Sequence, residues 1–583
     1  MIREVVLAMM VKNEEKRIRV SFNSVKGICK KIIILDTGSG DRTIAVCQEW
    51  CTENGVDLHL KTSPFVNFCD TRNVLLDFAD EVLQEPHFLL LLDSNDELKN
   101  AGELKKFVEL FNGKHSGFHV KQEWLSGKKT DSYYNVRLVL SNSGWRYRGV
   151  VHEYICQNNV EQTGDNILML PNIVLFQDRN KDDDKSAKRF VRDKRMLYGA
   201  HVNDPSESRT IFYLAQTCGC LSHFAEAYRY YSMRLKCSGF IEEIYHSYFR
   251  LADTAHTMNA RWEESFRWYL SAFAHSGRVE PLVKLAEFYM THDAKGAKGS
   301  CPEIAWIFIS ASLHMMYPYN QILFVDSWCY VYKRHHLASI IGAKVGRIKE
   351  AKSAAIMALC HDADSKIDTE NLLELIKNQP TATGAFSSVR EKLDPPPTIT
   401  KKYKEFMAKG ASYKKWWLAV PWYLRAFEEC KIHEPLVAIS KIFMSQNYKG
   451  EVGCDNLLAW VFISAANMLR VQPTVATYVE YQRIFCEVSL ANNKINEACK
   501  VAEPLYALTK DHRDLKFLIE ALQRDKYAIS GNVRFLGLVA PSTSKGDVLH
   551  PSSHSALLAG MKQKPDEVLK KLNLQPSDVW GKK

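Results

Sequence analysis

The sequence predicts an α/β domain with a mostly parallel, Rossmann-like sheet, followed by an all-α array of helical repeats. Short apolar runs alternate with helical patterns in the first part of the chain, strand signals vanish after Asp193, and large-small residue pairs then recur at helical-repeat spacing. Val5–Met10 is the first strand. Asn13–Ser24 is charged and helical. Lys31–Leu35 is a short buried strand that runs into the turn Asp36-Thr37-Gly38-Ser39-Gly40-Asp41. Thr43–Glu53 is helical, Asp57–Lys61 alternates as a strand, Thr71–Val82 is a helix and Phe88–Leu92 is a fully buried strand. Apolar, non-alternating strands joined by helices imply a parallel sheet covered on both faces. Gly117–Glu123 and Asn135–Leu140 read as later strands of the same sheet.

Beyond Asp193 the pairs Leu214-Ala215, Leu251-Ala252 and Leu285-Ala286 recur at spacings of 37 and 34, and Ala227 and Tyr231 follow the first of them. Small residues let two helices approach and large ones fill the neighbouring groove, a pattern that resembles tetratricopeptide repeats. A longer duplication overlies it. Trp268-Tyr269-Leu270 matches Trp422-Tyr423-Leu424, Glu280-Pro281-Leu282-Val283 matches Glu434-Pro435-Leu436-Val437, and the run from Ala305 to Ser310 matches that from Ala459 to Ser464, all at an offset of 154. The expected organisation is an α/β domain over 1–180, a first helical array over 181–378 and a linker over 379–402 with Pro380, Gly384 and Pro395-Pro396-Pro397. A second array follows over 403–540, then a poorly packed tail over 541–583 with one short helix near Pro565–Leu572.

The 583 residues are ordinary in composition, with 46% hydrophobic and 25% charged residues, which excludes global disorder; with 28 Gly and 19 Pro the chain is not collagen-like. The net charge of +10 is spread out, without a Lys/Arg block of the kind that binds nucleic acid, and suits phosphate-bearing ligands. Fifteen cysteines, an odd number without framework spacing, read as reduced thiols in a cytoplasmic protein. The first ten residues read as a strand and not a signal peptide, and the apolar runs Phe88–Leu92 and Trp306–Met316 are too short to span a bilayer.

Ligands of an open parallel sheet bind beyond the C-terminal ends of its strands. Three polar clusters fall there: Asn13-Glu14-Glu15, Asp36 through Asp41, and Asp93-Ser94-Asn95-Asp96-Glu97. So much negative charge on one edge calls for a cation or a donor-rich ligand. In the third cluster a run of leucines ends abruptly in Asp93, where oxygen ligands suit Mg²⁺ or Mn²⁺ bridging to a diphosphate. Neither GxxxxGK[ST] nor a GxGxxG after the first strand is present, which argues against kinases and dehydrogenases. The loop Val11–Arg17 also lacks the glycines of a sugar nucleotidyltransferase.

The runs MVKNEEKRI, IIILDTGSGDRT, FVNFCDTRN and LLLLDSNDEL together resemble family 2 glycosyltransferases of the GT-A fold. The later runs WRYRGVVHEYI, RFVRDKRML and RTIFYLAQT are similar to the bacterial and large-virus subgroup fused to tetratricopeptide repeats. The resemblance spans residues 3–300. It implies that Asp36, in a turn closed by Asp41, contacts the base or ribose of a nucleotide sugar. Asn13 and Glu14 then floor the nucleoside pocket, and Arg72 with Asn73 faces the donor. The family's Asp-x-Asp metal motif stands here as Asp93-Ser94-Asn95. Asn95 replaces its second carboxylate, either as a neutral ligand or with Asp96 taking its place. His152 is a further metal or diphosphate contact by the same resemblance.

An inverting transferase needs one carboxylate to take the acceptor's proton, and Glu153 and Glu123 are both candidates. Trp124 and Trp145 are candidates for stacking on sugar faces or for the core. The implied activity is metal-assisted transfer from a UDP-sugar to a hydroxyl of a protein, peptide or glycan, with Mn²⁺ or Mg²⁺ as cofactor. The helical arrays recruit the acceptor or mediate self-association as a homodimer. The alternative is a catalytically degenerate domain in an interaction scaffold, which Asn95 favours.

Overall fold

The computed structural model describes residues 4–126, 129–158, 167–178, 186–318, 321, 323–377, 394–445, 455–469, 471–514, 516–520 and 564–576. Compactness divides the chain between Gly239 and Phe240.

The first unit is built on an eight-stranded sheet in the order β3-β2-β1-β4-β7-β6-β10-β5. Its parallel half is β1 (Val5–Val11), β2 (Cys29–Asp36), β3 (Asp57–Thr62) and β4 (Phe88–Leu91), with Leu7 registered between Ile32 and Leu90. β1 is apolar throughout because helices cover both faces. Val5, Leu7 and Met9 pack with Phe22 and Trp50, whereas Val6 and Ala8 pack with Leu75, Leu76 and Ala79. Phe22 lies on α1 (Ile18–Ser24), Trp50 on α2 (Thr43–Asn54), and the leucines on α3 (Phe68–Leu83).

The other half departs from a purely parallel sheet. β5 (Glu97–Lys99) and α4 (Ala101–Leu110) precede a long hairpin of β6 (Gly117–Ser126) and β7 (Lys129–Leu140), and β7 runs antiparallel beside β4. A small second sheet, β8 (Trp145–Arg148) with β9 (Tyr154–Gln157), follows, and β10 (Ile167–Asp178) returns to the large sheet parallel to β6 and antiparallel to β5. The helix expected from Asn13 begins only at Ile18, because Asn13 takes φ 56° and its segment ties two loops together. Trp145 is 2% exposed, so its ring is core. It lies so close to Gly117 that a Cβ there would meet the ring at 2.2 Å. Three helices complete the unit: α5 (Ser186–Asn203), α6 (Ser208–Cys220) and α7 (Phe224–Arg234).

The second unit is helical. α8 (Ile241–Thr257), α9 (Trp262–Ser276), α10 (Glu280–Tyr289) and α11 (Pro302–Leu313) lead to a π-helical stretch, Cys329–Lys333. That stretch runs into α12 (Arg334–Lys344), followed by α13 (Ile348–His361) and α14 (Lys366–Lys377). Then come α15 (Lys401–Ala411), α16 (Trp416–Cys430), α17 (His433–Met444), α18 (Asn456–Met468), α19 (Val475–Ala491), α20 (Ile495–Thr509) and α21 (Pro565–Lys571). Leu214-Ala215, Leu251-Ala252 and Leu285-Ala286 each lie on the first helix of a hairpin (α6, α8 and α10) and are fully buried. The duplication maps α9, α10 and α11 onto α16, α17 and α18. The two copies face one another: α9 and α11 each pack on both α16 and α18, and Phe308 meets its own counterpart Phe462 edge to face at 5.9 Å. A residue that touches its counterpart lies beside a local two-fold axis.

Of the expected linker, residues 379–393 lie outside the described residues, and 394–400 lead into α15. The helix expected near the C-terminus is present as α21. It is packed and not loose, since Val568 and Leu569 are buried with Ile356, Leu359 and Leu372. The rest of the expected tail, 541–563 and 577–583, lies outside the described residues. Among the described residues no helix is long and apolar enough to cross a membrane, and no disulfide joins any cysteine.

Candidate active site

The C-terminal ends of β2, β1 and β4 are neighbours on one edge of the first unit, which brings the three polar clusters side by side. The first two clasp each other. Asn13 donates its N–H to Ser39 Oγ at 3.0 Å and accepts the Gly40 N–H on Oδ1 at 2.8 Å. Glu14 donates its N–H to Thr43 Oγ1 at 2.7 Å, and its carboxylate pairs with Arg17 at 3.1 Å. Asp41 accepts from the N–H groups of Thr43 at 2.9 Å and Glu15 at 3.3 Å. Asp36, 5% exposed, accepts from the Gly38 and Ser39 N–H groups and from Ser39 Oγ at 2.6 Å. These residues therefore build a rigid double loop beyond β1 and β2.

The third cluster is an ion-pair centre. Arg72, on the buried face of α3, donates from Nη2 to Asp93 Oδ1 at 2.6 Å. Arg137, on β7, donates from Nη2 to Asp93 Oδ2 at 3.0 Å. Arg72 Nε lies 2.8 Å from Glu153 Oε1. Burial raises the cost of charge at Asp93, but Arg137 and Arg72 more than cancel it and hold the carboxyl well below the usual range. Asp96 lacks such partners. Burial, with Asp93 beside it, pushes its carboxyl up to about 6. Asn73 does not face this centre. It accepts the Tyr147 N–H at 2.7 Å and donates to the Tyr147 carbonyl at 3.0 Å, pinning β8 to α3. Ser94 sits in the turn that follows Asp93.

These residues do not fit a divalent cation. Both oxygens of Asp93 are taken by guanidinium groups, and Asn95 Oδ1 accepts Gln177 Nε2 at 2.8 Å. Asp96 is 1% exposed and its Oδ2 accepts the Asp93 N–H at 2.9 Å. His152 is stacked face to face on Tyr213 at 4.2 Å. Among the described residues no group of three or more His, Cys, Asp or Glu side chains could hold a metal ion.

Of the two candidate bases, Glu153 joins the centre and Glu123 does not. Glu153 ends the loop between β8 and β9, in which Gly149 and His152 adopt φ of 90° and 53°. The first turn of α6 holds this loop. Arg209 Nη2 donates to the His152 carbonyl at 3.0 Å, and its guanidinium lies over Tyr154 at 4.6 Å and Tyr213 at 4.8 Å. Glu123 pairs with Lys121 at 2.6 Å and is registered opposite Ser132. That position is about 16 Å along β7 from Arg137. Trp124 packs edge to face on Tyr133 at 4.8 Å. Sequence reasoning missed Arg137, Gln177, Arg209 and Tyr213. Arg137 had a signal, as the one charge in the apolar run Val136–Leu140, whereas Gln177 at a strand end had none.

The first unit is thus an α/β domain whose acidic strand ends and Arg–Asp–Glu centre lie together at one edge of a half-parallel sheet. The family model for glycosyl transferase family 2 matches residues 7–154, so the chain carries a domain of that family, joined to tetratricopeptide-like helical repeats. No curated protein sequence matches the chain. Among solved structures, Staphylococcus aureus TarS 1–349 in complex with UDP-GlcNAc is 14% identical, covering 47% of this chain and 88% of that chain at a TM-score of 0.24. A tetratricopeptide repeat protein from Parabacteroides merdae is 11% identical, covering 59% and 97% at 0.23. Scores this low leave the assignment resting on the sequence match.

Proposed function

We propose that the chain transfers a sugar, with inversion, from a nucleoside diphosphate donor of the UDP-sugar type to a hydroxyl of a protein, peptide or glycan. The observation that carries this reading is the bridge made by Arg72 between Asp93, at the end of β4, and Glu153, within the family-matched region. The nucleoside binds against the double loop of Asn13, Glu14, Asp36 and Asp41. The acceptor oxygen attacks the anomeric carbon while the bond from that carbon to the diphosphate oxygen breaks. The electron pair leaves with the nucleoside diphosphate, and Glu153 takes the acceptor's proton. The helical repeats recruit the acceptor. The proposed compartment is the cytoplasm, where the thiols stay reduced.

The test is a screen of nucleotide sugars against the purified chain, reading thermal shift and nucleoside diphosphate release. One donor is expected to bind and to be slowly hydrolysed. Glu153→Gln is expected to retain donor binding and to lose at least about 100-fold in turnover. Binding of no donor would overturn the reading in favour of the scaffold.

A further inference from the structure

Because the oxygens of Asp93, Asn95 and Asp96 already accept from groups of the protein, the charge of a donor's diphosphate at the end of β4 falls to other groups. Two cations stand at the end of β4, and both are buried: Arg72 is 7% exposed and Arg137 9%. Among the described residues Arg137 donates one side-chain hydrogen bond, to Asp93, and its buried Nε has no partner. A guanidinium carries five N–H donors in a planar fork, so a buried arginine that spends only one of them on the protein is incomplete without a ligand. Asp93 holds the two forks side by side, while its own side chain is 33% exposed, so the pair opens to solvent on the Asp93 side. Planar forks match phosphate oxygens in pairs, which an ammonium group cannot do.

Resting on the transferase reading, we propose that the donor's diphosphate is held and neutralised by Arg72 and Arg137, without a divalent cation. The unspent N–H groups of Arg137 take phosphate oxygens directly. As the anomeric bond breaks, the charge gathering on the leaving phosphate is met by the same preorganised donors. Asn95 is consistent with this arrangement, because a neutral amide held by Gln177 adds no negative charge beside the incoming phosphates.

The experiment is calorimetric titration of the full chain with UDP, GDP, ADP and dTDP, each in EDTA and again with Mn²⁺ or Mg²⁺, together with Mn²⁺ alone. The nucleotide that binds is expected to do so with affinities within about threefold in the two buffers, and Mn²⁺ alone is expected to give no heat. Arg137→Met is expected to weaken the diphosphate by about tenfold or more while leaving the corresponding monophosphate within about twofold, a difference that a merely structural role would not produce. Arg137→Lys, which keeps the charge, is expected to fall between. If Arg137→Met does not fold, the comparison of buffers on the unaltered chain still decides. Affinity that rises more than about tenfold with metal and disappears in EDTA would overturn the proposal and leave the transferase standing. Binding of none of the four nucleotides in either buffer would overturn the transferase reading itself.

Discussion

Asp93 and Asp96 are three residues apart at the same strand end, Asp93 partly exposed and Asp96 buried, yet their environments pull them in opposite directions. Asp93 sits between two guanidinium groups and is held far below an ordinary carboxyl, whereas Asp96 is raised to about 6 by burial beside Asp93. The consequences for stability have opposite signs. An unfolded aspartate titrates near 3.9. From about pH 6 down to about pH 4 the folded chain takes up a proton at Asp96 that the unfolded chain does not, so this pair's contribution to stability rises. Below about pH 4 the unfolded chain protonates at Asp93's position while folded Asp93 stays ionised, so the contribution of the Arg–Asp centre falls away. Denaturant titrations across this range should therefore show a maximum near pH 4 to 5 that Asp96→Asn flattens on its alkaline side. Asp93→Asn leaves two buried guanidinium groups facing each other and should cost about 3 kcal/mol near pH 7. A loss within about 0.5 kcal/mol would mean that water entering on the Asp93 side hydrates the two arginines well enough to replace the carboxylate. Asp93 was legible because a run of leucines cannot end in a carboxylate without a purpose. Its partners were less so: Arg72 was read as facing a donor and is also the clamp on Asp93, and Arg137, the one charge in the run Val136–Leu140, was not singled out.

At the scale of elements, the half of the sheet with simple physics was readable and the other half was not. β1, β2 and β4 lie in the covered centre of the sheet, so burial on both faces wrote itself into continuous apolar runs. β5, β8 and β9 are three or four residues long, and β10 mixes buried and exposed positions, so neither period stands out. Of these unread elements, β8 and β9 are the ones that flank Glu153. The loop from Gly149 to Glu153 is held from below by Asn73 on the Tyr147 backbone and from outside by Arg209 and Tyr213 of α6. The ring stack of His152 on Tyr213 ties this loop to α6, and Tyr213, itself 4% exposed, also packs on Phe212 and under Arg209. Tyr213→Ala should release the loop, worth about 1 kcal/mol of stacking, and lower kcat by about tenfold while KM for the donor stays within about twofold. A matching rise in KM would show instead that α6 supports the donor pocket and not Glu153. Tyr213→Phe keeps the ring and should restore the rate.

For the whole molecule, the second unit carries the clearest sequence record. Of the matches at an offset of 154, Phe308 and Phe462 are fully buried and meet each other where the two copies touch, whereas Trp306 and Trp460, each 1% exposed, pack on the helices that follow them, Trp306 beside Gly342 and Trp460 beside Lys494 and Glu497. Residues that pack against a copy of themselves constrain both halves at once, so a drift in one must be answered in the other. The joint is reinforced off the axis by Arg425 on Glu263 at 2.8 Å and Lys431 on Glu303 at 2.7 Å, pairs that exist only between the copies. An interface of this kind is what two identical chains would form around a two-fold axis, and here it is satisfied within one chain. The two copies should consequently unfold as one body and not as two independent arrays. A double-mutant cycle tests this at the axis. Phe308→Ala and Phe462→Ala should each cost about 3 kcal/mol in guanidinium unfolding followed by tryptophan fluorescence. Because either substitution already breaks the edge-to-face contact, the double variant should cost about 1 kcal/mol less than the sum. Strict additivity, or two separate unfolding transitions in the unaltered chain, would mean that the copies are stable alone and merely touch.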